Sequence, residues 1–144
     1  MMTPARLAVE LERRLDGPHD DEHTAAAAHL CAEAVRFLNY ATGSHAPEAL
    51  HWPGTVYEIT AGMYLAAGRM PQCFDQLAAW LRRENAAEMF GTDDGTPPGD
   101  VVAYASLHLN AAAALARMLT AELSGAQNAM SGLNGNGPAR TGGA

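Results

Sequence analysis

Glycine and proline divide this chain into about five segments with the hydrophobic periodicity of α-helices. Proline favours the first turn of a helix, and glycine favours the position just after its end. The breaks fall at Gly17-Pro18, at Pro53-Gly54, at Gly68 with Pro71, and from Gly91 to Gly99. The pattern predicts an all-α fold, a helical bundle of four main helices plus a short N-terminal helix.

A length of 144 residues fits one domain with a core of its own. We predict the bundle in residues 1–124, and a frayed helix end followed by a disordered Gly-rich tail in residues 125–144. Alanine is abundant in the segments between the breaks, and it favours helix because its side chain loses no entropy on ordering. The core should therefore consist mainly of small aliphatic residues.

The segments give approximate bounds for the five helices. The first begins after Thr3 and ends at Gly17, and the second follows the acidic run Asp20 to Glu22. The third should begin at a capping box that Thr55 forms with Glu58 and run to Gly68; the fourth runs from Pro71 to Gly91, and the fifth follows an Asp100 cap. The last loop, residues 92–99, has turn composition throughout.

Apolar residues at helical spacing predict which face of each helix is buried. In the second helix these are Ala27, Leu30, Ala34, Phe37, Leu38 and Ala41. In the third and fourth they are Val56, Ile59, Met63, Ala66 or Ala67, Cys73, Phe74, Leu77, Trp80 and Leu81. In the fifth they are Val101, Tyr104, Ala105, His108, Ala112, Leu115, Leu119 and Leu123.

Charge and composition exclude several classes of function. The chain has sixteen acidic and nine basic residues, all nine of them arginine, and a net charge of −7. Such a chain repels phosphate backbones and anionic lipid, so we expect no nucleic-acid and no membrane partner. Without lysine, a Walker-type phosphate loop and Schiff-base chemistry are excluded, and we predict no cofactor.

The cysteines and the hydropathy pattern bear on localisation. Cys31 and Cys73 lie within predicted helices, which suggests reduced core thiols. The N-terminus alternates charged and apolar residues too early for a signal peptide, and no apolar run is long enough to span a membrane. We therefore expect a cytoplasmic protein.

Two short patterns resemble metal motifs. His19-x-x-Glu-His23 has the spacing of an inverted zinc-protease motif, and Glu48-x-x-His51 has that of one half of a di-iron site. The first straddles a helix start, where an acidic first turn with two exposed histidines is the alternative. The second lacks its companion ligands and lies in a Pro-flanked connector, so we predict no metal site.

The acidic pair Asp93 and Asp94 beside Gly95 suggests a calcium loop. The alternating oxygen ligands and the closing glutamate of such a loop are absent. We interpret both residues as turn residues.

A histidine and two carboxylates form the strongest catalytic hypothesis. His108 is at the centre of the apolar stripe of the last helix, and Glu84 and Glu88 continue the face of Leu77 and Trp80. If the two faces met, these groups would share a low-dielectric interior in which pKa values shift. We favour a structural explanation, either a histidine-carboxylate pair or glutamates that emerge into solvent.

Four aromatic residues form a candidate binding patch. Such side chains are enriched at the energetic centres of protein interfaces. They could equally close the ends of the bundle. The four are Trp52, Tyr57, Tyr64 and Trp80.

Trp52-Pro53-Gly54 resembles the Trp-x-Gly turn of small secreted helical-hairpin proteins that specialised systems export. That resemblance implies two long helices joined by the turn and a Tyr-x-x-x-Asp/Glu export signal. No acidic residue follows Tyr57, Tyr64 or Tyr104 at the required spacing, so the function of that family is not transferred. More broadly, the chain is similar to small uncharacterised all-helical proteins of high-GC bacteria, a likeness that implies no activity.

We therefore expect a non-enzymatic interaction or accessory protein that binds a protein partner or self-associates through an apolar or aromatic helix face. The alternative is a small-molecule or metal-dependent enzyme with an interior site of His108, Glu84 and Glu88. The enzyme requires a cleft with converging polar groups, whereas the interaction protein requires an exposed apolar patch.

Overall fold

A computed structural model describes residues 19–44 and 50–133. The chain divides into two compact units, Met1–Leu50 and His51–Ala144. The described residues form three α-helices and no strand: α1 (Asp21–Ala41), α2 (Pro53–Ala86) and α3 (Pro98–Met130). The all-α class is confirmed, but the predicted count of four main helices plus a short N-terminal helix is not matched. The helix expected over residues 3–17 lies outside the described residues.

The third and fourth predicted helices are one continuous helix, α2, with Gly68 and Pro71 inside it. Proline cannot donate to the carbonyl of Ala67 four residues earlier, and in a helix interior it costs about 3 kcal/mol relative to alanine. Ala67 and Pro71 are both buried in the interface with α3. Packing against α3 thus overrides the local break signal.

The helix ends also differ from expectation. α2 begins at Pro53 with Trp52 as its N-cap, so Thr55 lies in the first turn instead of capping it. α3 likewise begins at Pro98, which places Asp100 in the first turn. Proline at the first helical position loses only an N–H that would have had no partner.

α2 ends at Ala86, five residues before the glycine expected to stop it. Glu88 adopts a left-handed backbone with φ 58°, and the Met89 N–H donates to the carbonyl oxygen of Glu84 at 3.1 Å. This is the closing pattern of a Schellman motif, in which glycine usually holds the left-handed position. The motif ends the helix without the usual glycine.

α2 and α3 pack antiparallel as a hairpin. A Cβ on Gly99 would lie 3.7 Å from Asn85 Nδ2, and one on Gly68 would lie 3.8 Å from Thr120 Cγ2, which shows that the helices run in opposite directions. The interface between the helices, here called the seam, consists of small residues and permits close approach of the backbones. Its buried residues are Ala67, Pro71, Ala78, Val102, Ser106, Ala113 and Ala116.

Residues 87–97 connect the two helices, and their turn is held by local hydrogen bonds. Asp94 Oδ1 accepts from the Thr96 N–H at 3.0 Å, and the Thr92 hydroxyl donates to the Thr96 carbonyl. The hydrogen bond from the Thr96 N–H lowers the pKa of Asp94 below its ordinary value. Gly95 has φ 78°, a conformation that favours glycine. Asp94 therefore stabilises the turn.

Helix α1 lies in the other unit and has an N-cap at Asp20, whose Oδ1 accepts from the His23 N–H at 2.8 Å. None of its residues is buried. Most of the apolar face predicted to be inward is exposed, with Leu30 57% and Phe37 70% accessible, whereas Leu38 and Ala41 are half-buried. The prediction that this face is buried in a bundle is therefore wrong for the described structure.

Candidate interaction surface

The large apolar residues of α3 lie outside the seam. Val101, Leu115 and Leu119 were expected to be buried, but all three are exposed, and Leu115 is 63% accessible. Each precedes by one position a residue that faces α2. Because one residue turns an α-helix by about 100°, the stripe predicted for the core lies beside the seam. The seam itself uses smaller residues.

The same offset occurs on α2. Leu77 is exposed and immediately precedes Ala78, which is fully buried in the seam. In an antiparallel pair of helices, the residue that precedes a seam residue points to the same side of the hairpin on both helices. We call this the apolar side and define it by six exposed residues: Leu77, Trp80, Val101, Tyr104, Leu115 and Leu119. His108 and Glu84, which continue the same two stripes, lie on this side as well.

Side-chain contacts at the loop end support this geometry. Leu81 of α2 and Val101 of α3 line one open cleft together with Phe90 of the connection. The rings of Trp80 and Phe90 have centroids 5.8 Å apart. The cleft has few polar groups, so it can accept an apolar side chain but offers little for acid-base chemistry.

The opposite side of the hairpin has a different chemistry. Arg117 Nη2 lies 3.0 Å from Asp75 Oδ2, and both side chains are largely exposed. Arg117 follows Ala116 of the seam by one position, so it turns away from the apolar side. Ala114, which follows Ala113, is exposed on this side too. We call it the polar side because it carries this ion pair; Leu107, which follows the buried Ser106, is a large apolar residue exposed on it.

The four aromatic residues of the predicted patch do not lie together. Trp80 lies on the apolar side near the loop, whereas Tyr57 is 23 residues earlier on the same helix, or about 35 Å along its axis. Tyr57 lines an open cleft with Pro53 and Met130 at the other end of the hairpin. Tyr64 is half-buried, and Trp52 is exposed at the N-cap of α2.

His108, Glu84 and Glu88 do not form an interior site. His108 is exposed, and its ring packs edge-on against Tyr104 with centroids 4.5 Å apart. Glu84 Oε1 accepts from Arg83 Nε at 3.0 Å, and Glu88 is exposed at the end of α2.

The first histidine motif has a structural role. His19 precedes the N-cap, so the two histidines do not share a helix face, and His23 Nδ1 lies 2.8 Å from both carboxylate oxygens of Asp20. Glu48 of the second motif lies outside the described residues; His51 is exposed. Within residues 19–44 and 50–133, no three His, Cys, Asp or Glu side chains are grouped to hold a metal ion.

Cys31 and Cys73 are both free and exposed, so the prediction that they are core residues is wrong. Cys73 lies one helical turn before Leu77, beside the apolar side. No described helix has the length and hydropathy needed to cross a membrane.

The apolar stripes were visible in the sequence, but they were assigned to the core. The signal that could have revealed their exposure is the alanine one position after several large residues, as at Leu77-Ala78 and Leu115-Ala116. The connection at residues 87–97 contains no Trp-x-Gly turn, and Trp52-Pro53-Gly54 instead begins α2. Comparisons with models of protein families, with curated proteins and with solved structures gave no match.

Proposed function

We propose that this chain is a non-enzymatic interaction protein that presents the apolar side of its α2–α3 hairpin to a helical protein partner. The proposal rests on where small and large side chains lie in the hairpin: the small ones are buried and the large ones are exposed. The fully buried seam positions are alanines, whereas Tyr104 and Leu115 are 67% and 63% exposed. Burying apolar surface contributes about 25 cal/mol per Å², so a partner on this side adds the larger share of the hydrophobic stabilisation.

The shape of the surface favours a helical partner. Its exposed residues recur at positions 101, 104, 115 and 119, the spacing at which one face of a helix meets another. Two parallel rows of side chains on neighbouring helices leave a groove into which further helices fit at interaxial distances of about 8–10 Å. Completing a bundle is therefore the simplest use of this face.

The proposal includes a cytoplasmic location and no binding of nucleic acid. Two exposed thiols, at Cys31 and Cys73, suit a reducing compartment. The net charge of −7 opposes association with phosphate backbones.

Site-specific photo-crosslinking in cells tests the proposal. A benzophenone amino acid at Leu115 should give covalent adducts with protein, because this position is inside the interface. The same amino acid at Ala114, on the polar side of the same helix, is the matched control and should give few adducts. Equal labelling at the two positions, or none at Leu115, would contradict the proposed function.

A further inference from the structure

We infer that the partner on the apolar side is a second copy of this chain, so that two hairpins form a four-helix bundle. This inference rests on the proposed function and specifies its partner. A surface that contacts its own copy about a two-fold axis must be complementary to itself. The apolar side can meet this condition because it carries both large and small residues: the half-buried Ala112 lies one turn before Leu115, and the half-buried Ala105 follows Tyr104.

The area of the surface is sufficient for a stable dimer. α2 has 34 residues and α3 has 33, so the hairpin is about 50 Å long. Two helices side by side give a face roughly 15–18 Å wide, or about 800 Å² per copy. That matches the area per partner of a standard protein interface.

The core of the isolated hairpin is small for its length. The buried apolar side chains in the described residues are four alanines, Val102 and Pro71. A two-helix unit with so little buried surface gains most of its hydrophobic stabilisation by association. Pairing two hairpins would bury the residues of the apolar side against one another and supply this missing core.

Charge favours one orientation of the two copies. Residues 78–108, the half next to the connection, contain five carboxylates and two arginines, a net charge of −3. The remaining described residues of the unit, 51–77 and 109–133, contain three carboxylates and two arginines, a net charge of −1. Placing the two connections at opposite ends of the bundle separates the more acidic halves and lowers their repulsion.

This orientation defines the pairs of helices. A two-fold axis across the middle of the face brings α2 antiparallel to α2 of the second copy and α3 antiparallel to its equivalent. Cys73 lies within one turn of the midpoint of α2, which places it near Cys73 of the second copy. Asp93 in the connection of one copy would then be separated from its equivalent by about the length of the hairpin.

Analytical ultracentrifugation of the full chain tests the inference, with Leu115→Glu and Ala114→Glu as matched variants. The wild-type chain and the Ala114→Glu variant should have twice the monomer mass. The Leu115→Glu variant should have the monomer mass, and its helical circular dichroism should be unchanged. A monomeric wild-type chain, or equal dissociation of both variants, would overturn the inference. Both substituted residues are exposed, so neither charge is forced into the seam.

Crosslinking with a short bismaleimide tests the orientation. In a Cys31→Ser background, Cys73 should link two copies. In the same background, a variant that combines Cys73→Ser with Asp93→Cys should not link two copies. Linkage through position 93 and not through Cys73 would overturn the opposite-end arrangement.

The adducts at Leu115 separate this inference from the proposed function. Adducts with twice the mass of the chain support the second copy. Adducts with a different protein and a monomeric purified chain would overturn the second copy while the interaction function stands. Absence of adducts and of self-association would overturn both.

Discussion

Arg117 Nη2 lies 3.0 Å from Asp75 Oδ2, linking α2 and α3 on the side of the hairpin opposite Leu115. Both side chains are about half exposed or more, so solvent screens the pair. We expect a coupling energy of about 0.2–1 kcal/mol from a double-mutant cycle of Asp75→Asn and Arg117→Gln, measured by urea unfolding. A larger coupling would contradict a solvent-screened pair, and high salt should reduce it further.

Ser106 is buried in the seam, and its hydroxyl has no hydrogen-bond partner within the described structure. An unsatisfied buried polar group costs about 1–3 kcal/mol. We therefore expect Ser106→Ala to raise the free energy of unfolding by about 1 kcal/mol, with Ser124→Ala near the end of α3 as a comparison. A loss of stability on Ser106→Ala would show that the hydroxyl makes a favourable contact.

Glu88 ends α2 in a left-handed backbone conformation. This region costs a non-glycine residue about 1 kcal/mol, and glycine carries no such cost. Glu88→Gly should therefore raise the midpoint of thermal unfolding, whereas Glu88→Ala should leave it nearly unchanged. Equal shifts of the midpoint in both variants would indicate that loss of the Glu88 side chain, and not relief of the backbone conformation, causes the shift.

Asp20 caps α1, and the backbone N–H of His23 is the main cause that lowers the pKa of its carboxyl group. Because the folded pKa lies below the unfolded one, the carboxylate contributes stability above its ordinary pKa and loses it as pH falls through the lowered value. In an NMR titration, the His23 amide shift should therefore follow an acid transition below the ordinary pKa of aspartate. Asp20→Asn, which keeps a capping oxygen that does not titrate, should remove that transition.

Helix type and several boundaries could be predicted from the sequence, but the choice of buried face could not. The Pro-Gly breaks lie at the starts of α2 and α3, although the expected caps, Thr55 and Asp100, lie inside the first turns; the acidic run indicated α1. The break expected at Gly68 and Pro71 is wrong because these local glycine and proline signals carry no information about how α3 packs on that segment.

The residues of the apolar side were predicted as core and not as a binding surface, and Trp80 is the one member of the predicted aromatic patch among them. The stripe of Val101, Leu115 and Leu119 was assigned to the core because hydrophobic periodicity identifies a face to be buried without naming what buries it. In the described hairpin, alanines one position further on form the contact, and the large residues remain exposed. Periodicity likewise could not show that His108, at the centre of its stripe, is exposed instead of lying in an interior site.

Two neighbouring alanines of α3 differ in how tightly they pack. Ala113 is fully buried against α2, and Ala114 is exposed on the polar side. Added methylenes in a closely packed core force backbone shifts that typically cost 1–3 kcal/mol, so we expect Ala113→Leu to lower the free energy of unfolding by about that amount. Ala114→Leu should change it by less than about 0.5 kcal/mol, because surface substitutions rarely exceed this. Urea unfolding at one fixed protein concentration measures both, since self-association makes stability depend on concentration. Equal tolerance of leucine at the two positions would mean that the helices do not meet through their alanines. The location of the apolar side, which is defined by its offset from those alanines, would then be wrong.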